Sequence, residues 1–459
     1  MIERGHCAPK SRAREDDPTP QWRYGTSEFA HLALYPSSSM NFRRRKRAIR
    51  HEEAHGAEDS PAQKVMDHPA VPQGEPELID TPAQLEAFMN HVRTEGSFAF
   101  DTEFIGEETF IPLICLIQLA TRSRLALIDP FAFEGTTLNV VWEAVCDPTL
   151  LKIVHAGGQD INAAQRYTNR PARNVIDTQI AAGFIGMPWP SSLGNVVHAV
   201  AELRLNKGHT FTEWDSRPLS KSQLAYAADD VRYLPLVWQL QQERLDSLQR
   251  KAWAISESEE SLRTSDEFLP ESQVRRAARG MGLRPRVMTI LRELVILRYS
   301  IAEAKNLPPR TVLPDSPMLE IARRKVATPE ELSEIRAFPR QTATEFGAEI
   351  VRTIAAAREL PIDRDRVWTV PEESAEDRTR IDALWSIISM RAISMGIATA
   401  LILTRSELSR WYLARTTAPA PLFPLDSWRH EAIGKWLESF LDGNEILKLG
   451  WKDGGPIVP

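Results

Sequence analysis

The sequence reads SFAFDTEF across Ser97–Phe104, with two carboxylates two positions apart. The apolar residues around them are typical of a β-strand, in which side chains two positions apart project from the same face. Asp101 and Glu103 are therefore expected on one face of a strand. Two anions this close repel each other unless a cation lies between them, and carboxylate oxygens are ligands that Mg²⁺ and Mn²⁺ prefer. A metal site and a solvated strand face both fit this pattern, and the pattern taken alone favours the solvated face.

A second acidic residue follows the next buried-type strand. The apolar run Leu151–Val154 leads into His155, two glycines and Asp160, which opens a predicted helix. Ligand sites in open α/β sheets tend to lie at the carboxyl ends of strands, so Asp160 is a candidate for the same site. The alternative is that Asp160 only caps its helix. His155 closes a buried strand and is predicted to be a hydrogen-bonded structural residue.

The third candidate element lies in a helix predicted from Gln223 to Asp246. Tyr226 and Asp230 are four residues apart, so a phenol and a carboxylate share one helical face. Asp229 lies about 100° round the helix from Asp230, and the two aspartates cannot both point into one site. The spacing favours Asp230 without excluding Asp229, which we predict to be solvated or salt-bridged.

These three elements together resemble the motifs of the DEDDy 3′–5′ exonucleases, and in particular the ribonuclease D family. The resemblance covers residues 76–250. The similar segments are Asp101–Phe104 with Thr109–Gln118 for the first motif, His155–Asp160 for the second, Tyr226–Asp230 for the third, and Thr212–Leu219 for the stretch before the third. The resemblance implies an RNase H-like fold, with a mixed sheet flanked by helices.

The resemblance also implies roles for five residues. The catalytic set is Asp101, Glu103, Asp160, Tyr226 and Asp230, the last chosen over its neighbour by the family pattern Y-x-x-x-D. Asp101, Glu103 and Asp230 would hold one divalent ion, Asp101 would bridge to a second, and Asp160 would act on that second ion through water. The two ions, Mg²⁺ or Mn²⁺, would activate water and stabilise the leaving 3′ oxygen. Tyr226, whose phenol has a pKa of ~10, is poorly suited to be a base and would orient the water.

Two residues depart from the family pattern. Gly106 stands where ribonuclease D usually has Arg, and Phe110 stands where Tyr is common. Both lie in the loop after the first motif, so they bear on substrate contacts there and not on the metal site.

Periodicity and composition divide the chain into several parts. Short strands followed by helices predict an α/β domain, and two helical segments of similar length follow a charged, Ser-rich link. The boundaries we predict are a disordered tail over 1–75, the exonuclease domain over 76–250, a linker over 251–273, and helical domains over 274–362 and 375–459. The basic run Arg43–Arg47 in the tail could contact nucleic acid or be merely solvated, and Met40 or Met66 could be the true start.

The helical segments resemble the helicase-and-ribonuclease-D C-terminal (HRDC) domain. The likeness covers about 283–360, and Ser427–Glu431 with Gly434 is similar to the end of a second, divergent copy, so the fold expected after the exonuclease domain is two all-α HRDC-like domains. Between Val274 and Lys325 there are 12 Lys and Arg against 4 acidic residues. Basic side chains of this kind contact phosphates, which favours nucleic-acid binding over a merely solvated surface. The tightest cluster is Arg279, Arg284 and Arg286.

The composition excludes several classes of protein. The 459 residues carry a net charge of −6, which argues against a protein that coats nucleic acid non-specifically. Three widely spaced cysteines cannot build a disulfide framework or a cysteine zinc site, and they fit a reducing cytoplasm. No run approaches the ~20 apolar residues of a membrane span.

The sequence thus predicts a cytoplasmic, monomeric, metal-dependent 3′–5′ exoribonuclease. It would release nucleoside 5′-monophosphates from RNA with a free 3′ end, and the resemblance implies tRNA precursors and other structured RNA. A DNA exonuclease on the same fold and a catalytically inactive RNA-binding scaffold are the alternatives, although the presence of all five site residues argues against the scaffold.

Overall fold

A computed structural model provides the structure of the chain. It describes residues 65–457 apart from 107, 206–212, 265–269, 279–282, 325, 363–372, 416–419, 447, 449 and 453–454. The basic run at 43–47 and the greater part of the predicted tail therefore lie outside the described residues.

A six-stranded mixed sheet forms the centre of the first domain. Its strands are β1 Glu77–Ile79, β2 Ser97–Ile105, β3 Leu113–Ala120, β4 Leu125–Ile128, β5 Leu151–Val154 and β6 Val175–Asp177. They lie in the order β1-β4-β3-β2-β5-β6. β3 is antiparallel to β2 and to β4, and the other pairs are parallel. β2 is thus an interior strand, and the mixed sheet expected from the sequence is confirmed.

Helices flank this sheet in the described part of the domain. They are α1 Pro82–Glu95, α2 Asn139–Cys146, α3 Gly158–Thr168, α4 Thr178–Phe184, α5 Leu193–Ala201, α6 Lys221–Arg232 and α7 Leu234–Ser247. Helix α6 packs across β2, β3 and β4. Apolar side chains of these strands and of α6 share one core, so the helix is held firmly against the sheet.

The segment predicted as a linker differs from the expectation. Residues Lys251–Thr264 form a further helix, α8, which packs against β6. Ala254 and Ser258 on this helix are buried, and the Ser258 hydroxyl accepts a hydrogen bond of 3.2 Å from the Asp177 N–H. The charged residues misled the prediction because they occupy only part of the helix surface, whereas the buried part packs on the exonuclease domain.

An HRDC-type helical domain follows with a core of its own. Its helices are α9 Pro270–Ala278, α10 Pro285–Lys305, α11 Pro309–Val312, α12 Asp315–Arg323, α13 Pro329–Leu332 and α14 Arg340–Glu359. Apolar residues from these helices form one buried cluster that includes Leu291, Leu294 and Ile354. The long helix α10 ends at Asn306, whose positive φ of 50° gives a left-handed cap.

The last part of the chain is helical except for a short hairpin. It contains α15 Ala375–Met395, α16 Thr399–Ile402, α17 Arg405–Ala414, one π-helical turn at His430–Gly434, α18 Lys435–Leu441, and the strands β7 Gly450–Lys452 and β8 Gly455–Ile457. The hairpin corrects the expectation of an all-α domain here. The core of this part is continuous with that of the exonuclease domain. Arg250, for example, donates to the carbonyl groups of Phe184, Met395 and Gly396.

The predicted tail also needs a correction at its end. Residues 65–75 are part of the folded structure: Ala70 and Val71 are buried, and Arg232 donates to the carbonyls of Pro72 at 2.7 Å and Gly74 at 3.1 Å. Two apolar side chains and these hydrogen bonds hold a short segment that has no hydrophobic periodicity. Among the described helices, none is both long and apolar enough to cross a membrane.

Candidate active site

Strand β2 places the first two carboxylates. Asp101 and Glu103 alternate with the buried Thr102, and β2 is hydrogen-bonded to β3 on one side and to β5 on the other. The pairing with β3 becomes irregular directly after Glu103. Both carboxylates are half-buried on an interior strand, so their positions are fixed by the sheet.

The turn from β5 into α3 places Asp160. A side chain at Gly157 would put its Cβ 2.6 Å from Val154 Cβ, so only glycine allows the strand and helix to approach this closely. Asp160 lies in the first turn of α3 and is buried. The Thr102 hydroxyl donates a hydrogen bond to its carboxylate. Asp160 therefore has a fixed hydrogen-bond partner as well as its place near the helix N-terminus.

Helix α6 places Tyr226 and Asp230. The helix begins at a capping box, in which Ser220 N–H donates to Gln223 Oε1 at 2.9 Å and Gln223 N–H donates to Ser220 Oγ at 3.2 Å. The Tyr226 hydroxyl donates to the Asp230 carboxylate. Asp229 points elsewhere and pairs with Arg232 at 3.8 Å. The helix thus separates the two adjacent aspartates as their spacing requires.

Three of the carboxylates form one compact cluster. Each of Asp101, Glu103 and Asp230 offers an oxygen, and these oxygens lie within 4.8 Å of one another. Asp160 is outside this group of three, but its charge acts on Asp101, Glu103 and Asp230.

Burial and mutual repulsion raise the pKa values in the cluster. Burial raises the pKa of Asp101 well above its ordinary value, and the charges of Asp160, Asp230 and Glu103 raise it further. The pKa of Glu103 rises to about 8 and that of Asp230 to about 7, again chiefly through burial. Burial also raises the pKa of Asp160. A set of carboxylates that resists ionisation on its own is stabilised in its anionic form by a hard divalent cation, which suits these oxygen ligands.

The environment of Tyr226 keeps its hydroxyl protonated. Burial raises the pKa of Tyr226 above its ordinary value, and the negative charges of Asp230, Glu103 and Asp101 act in the same direction. The indole of Trp214 lies beside the phenol, with 6.2 Å between ring centroids. The group can therefore donate and accept hydrogen bonds at neutral pH but cannot serve as a strong base.

Arg217 anchors the segment that carries Trp214. Its guanidinium binds Asp129 through two hydrogen bonds of 2.7 and 2.8 Å and donates to the carbonyls of Trp214 at 2.8 Å and Cys115 at 2.7 Å. The segment was singled out in the sequence, but the contacts of Arg217 could not be predicted because Asp129 and Cys115 lie about 90 to 100 residues away in the chain.

Sequence reasoning also missed Thr102. It alternates with the two carboxylates along β2, so the strand pattern assigned it to the opposite face, away from the site. Its hydroxyl nevertheless binds Asp160, because α3 begins beside β2. A hydroxyl between two candidate ligands in a D-T-E sequence was the only available signal.

The three arginines predicted to contact nucleic acid differ in their surroundings. Arg284 is exposed at the start of α10. Arg286 is engaged in the fold, since it donates to the carbonyls of Ala357 and Leu360 at the end of α14. Arg279 lies outside the described residues. The Arg286 guanidinium caps a helix end through Nη1, and its contact with nucleic acid stays a prediction.

The loop after β2 meets the HRDC-type domain. The Phe110 N–H donates to Asn306 Oδ1 at 3.2 Å, and its ring makes an edge contact with Tyr299 at 6.0 Å between centroids. Phe110 is one of the two departures from the family pattern, and its ring packs against the helical core.

The His155 side chain is held by Thr178 Oγ1 at 2.9 Å and donates to the Ser191 carbonyl at 3.0 Å, as expected of a hydrogen-bonded structural residue.

Comparison with known proteins agrees with this architecture. Residues 76–246 match the family model of the 3′–5′ exonuclease domain, and residues 288–354 match that of the HRDC domain. Ribonuclease D of Gluconacetobacter diazotrophicus is 30% identical over 380 residues, which cover 81% of this chain and 94% of that protein. Ribonuclease D of Bartonella henselae is 28% identical over 369 residues, covering 80% and 90%. The crystal structure of Escherichia coli RNase D matches with a TM-score of 0.66 at 24% identity, covering 81% of this chain and 100% of that one.

The mixed sheet, the acidic site and the helical domain behind it define a 3′–5′ exonuclease with an RNase H-like catalytic domain and an HRDC domain. The similarity to ribonuclease D extends over four-fifths of the chain and almost the whole length of its relatives. The chain belongs to the ribonuclease D family.

Proposed function

We propose that the protein is a divalent-metal-dependent exoribonuclease that removes nucleoside 5′-monophosphates one at a time from a free RNA 3′ end. The main observation in support of this proposal is the cluster formed by Asp101, Glu103 and Asp230. Tyr226 lies on the same helix as Asp230. Structured RNA, including tRNA precursors, is the substrate class we assign. In support, the E. coli RNase D whose fold this chain shares is described as an exoribonuclease involved in structured RNA processing.

The chain's own residues provide the metal ligands. Asp101, Glu103 and Asp230 would hold one divalent ion, and Asp101 together with Asp160 would serve a second. When bound, the two ions would supply Lewis-acid stabilisation of the attacking water and of the leaving 3′ oxygen. The ligands lie on an interior strand and two packed helices, so their carboxylates are already positioned and little ordering is needed when substrate binds.

Tyr226 would orient the attacking water. Its hydroxyl donates to Asp230, which leaves oxygen lone pairs free to accept a hydrogen bond from water. Because its pKa is raised, the phenol stays neutral and positions the water without removing its proton.

The HRDC-type domain would hold RNA beside the site. Exposed arginines at 275, 276, 284, 323 and 324 make the phosphate-binding surface that the local positive charge predicts. The contact of Phe110 with Asn306 ties this domain to the loop that follows the catalytic strand.

A matched pair of substrates tests the assignment to RNA. We expect the protein with Mg²⁺ to shorten an RNA that has a single-stranded 3′ overhang, with nucleoside 5′-monophosphates as the chromatographed product, and to leave the DNA of the same sequence largely intact. Equal cleavage of DNA would contradict the ribonuclease assignment, since carboxylates and metal ions do not detect the 2′-OH by themselves. Binding of RNA without shortening of either substrate would favour the inactive scaffold.

A further inference from the structure

A buried glutamine on the strand next to the carboxylates is unexplained by the fold. Gln118 on β3 is fully buried, and within the described part of the chain neither its amide nitrogen nor its amide oxygen has a hydrogen-bond partner. A buried amide in this condition is costly, because it has lost its bonds to water and gained none. A leucine or methionine at this position would bury no unpaired amide.

The strand register shows where this amide lies. Gln118 pairs directly with Asp101 across the antiparallel β2–β3 ladder. Directly opposed side chains share a face of the sheet, with Cβ atoms about 4.5–5.5 Å apart. Helix α6, which carries Tyr226 and Asp230, covers this face. The amide is therefore in the layer between sheet and helix, beside the carboxylate cluster.

The side chains next to Gln118 along β3 and directly opposite it on β4 are apolar. Leu116 and Ala120 precede and follow it along β3, and Leu127 opposes it on β4. All three belong to the hydrophobic core. Of the residues directly opposite Gln118 on β2 and β4 and two positions away on β3, Asp101 is the one whose side chain accepts a hydrogen bond.

We propose that Gln118 is a positioning residue for Asp101, whose carboxylate accepts a hydrogen bond from the Gln118 amide when Asp101 binds the divalent ion. A change of side-chain torsion is enough to close this bond between opposed residues. The bond would fix the carboxylate orientation that a shared ligand of two ions needs. This inference rests on the proposed function, because it gives Gln118 a role toward the metal ligands.

The test compares stability without metal and affinity for metal in the full-length chain. Gln118→Leu removes the buried amide. Without metal, its urea midpoint should equal or exceed that of the wild type, because no hydrogen bond is lost. Its dissociation constant for Mn²⁺, measured by calorimetry, should rise 10- to 100-fold, as is usual when a hydrogen bond to a ligating group is removed. Gln118→Met, which keeps the unbranched shape, should behave in the same way and serves if the leucine variant folds poorly.

Gln241→Leu is the matched control. Gln241 is equally buried but lies on α7, and its amide donates to the Thr178 carbonyl at 2.9 Å. Its replacement should lower the urea midpoint and leave the Mn²⁺ affinity unchanged. Opposite effects of the two substitutions would separate a positioning role from a structural one.

The outcomes also separate this inference from the proposed function. If the wild type binds Mn²⁺, Asp101→Asn does not, and both Gln118 variants bind as tightly as the wild type, only the role of Gln118 is overturned. If the wild type itself fails to bind Mn²⁺, the proposed metal site is overturned and the inference falls with it.

Discussion

The chemistry of the site depends on a few carboxylate side chains whose negative charges repel one another. Asp101, Glu103 and Asp230 share a small volume and have raised pKa values, a combination typical of functional sites. The sequence was sufficient to predict these residues, because spacing along a strand indicates Asp101 and Glu103, and the family pattern selects Asp230 over Asp229. It was insufficient for Gln118 and Thr102, whose importance depends on the register between distant segments.

Replacing Tyr226 tests the role of its hydroxyl. Tyr226→Phe keeps the ring beside Trp214 and removes the hydroxyl oxygen. We expect kcat to fall by ~10²–10⁴, the size usual when a general acid–base or water-positioning group is lost. The Mn²⁺ affinity should be unchanged, since the carboxylates remain. Single-turnover kinetics on labelled RNA measures the effect, and a wild-type rate would remove Tyr226 from the mechanism.

His155 gives the protein a predictable dependence on pH. Burial lowers the pKa of His155 to about 4, whereas in the unfolded chain it is about 6.5. Between these values the unfolded state takes up a proton that the folded state does not, so stability falls as the pH drops. From pH 7 to pH 5 this histidine should cost about 2 kcal/mol of the free energy of unfolding.

Urea denaturation at the two pH values, with His155→Gln as the reference, isolates this contribution. Between pH 7 and pH 5 the variant should lose about 2 kcal/mol less of its free energy of unfolding than the wild type does. An equal loss of stability in both proteins would show that His155 titrates normally in the folded state.

At the scale of elements, local patterns predicted most of the sheet and its helices. β2 was predicted to within one residue, and the apolar run Leu151–Val154 has the observed limits of β5. The helix predicted over Gln223–Asp246 is two helices, α6 and α7, which separate at Tyr233 because Pro235 lacks an N–H and cannot continue a helix. The short strand β6 and helix α2 were not predicted.

The turn between β5 and α3 offers a sharp test of an element's geometry. Gly157→Ala would force a Cβ against Val154, so we expect a loss of about 1–3 kcal/mol in the free energy of unfolding and a lower turnover, as Asp160 shifts with its helix. Gly194→Ala is the control, because that glycine lies within α5 and has open space around its Cβ position. It should gain up to about 1 kcal/mol. Equal stability of the two variants would contradict this account of the turn.

Two of the hydrophobic cores in the described part of the molecule join different parts of the chain. One joins the exonuclease domain to the helices after residue 373, and the other belongs to the HRDC-type domain. The sequence predicted the helical segments but not this sharing, because a helix pattern shows which face is buried without showing its partner. The Leu401 side chain, for example, lies so close to Gly183 that it would clash with a Cβ there.

Substitutions in each core should therefore have different signatures. Leu401→Ala should cost ~2–5 kcal/mol and shift the unfolding followed by tryptophan fluorescence, since the exonuclease core contains tryptophans. Leu291→Ala should shift a helical transition seen by circular dichroism and leave the fluorescence transition in place, because residues 274–362 contain no tryptophan. Coincident shifts in both variants would show that the molecule unfolds as a single unit.

The central claim, that the four carboxylates form a metal-dependent nuclease site, is tested most directly by a time course on a 5′-labelled RNA with a 3′ overhang. The wild type and Asp101→Asn would be compared in Mg²⁺, in Mn²⁺ and in EDTA. We predict a ladder that shortens from the 3′ end with the wild type in either metal, and no shortening in EDTA or with the variant. A ladder in EDTA, or one produced by Asp101→Asn at a rate near that of the wild type, would contradict the account.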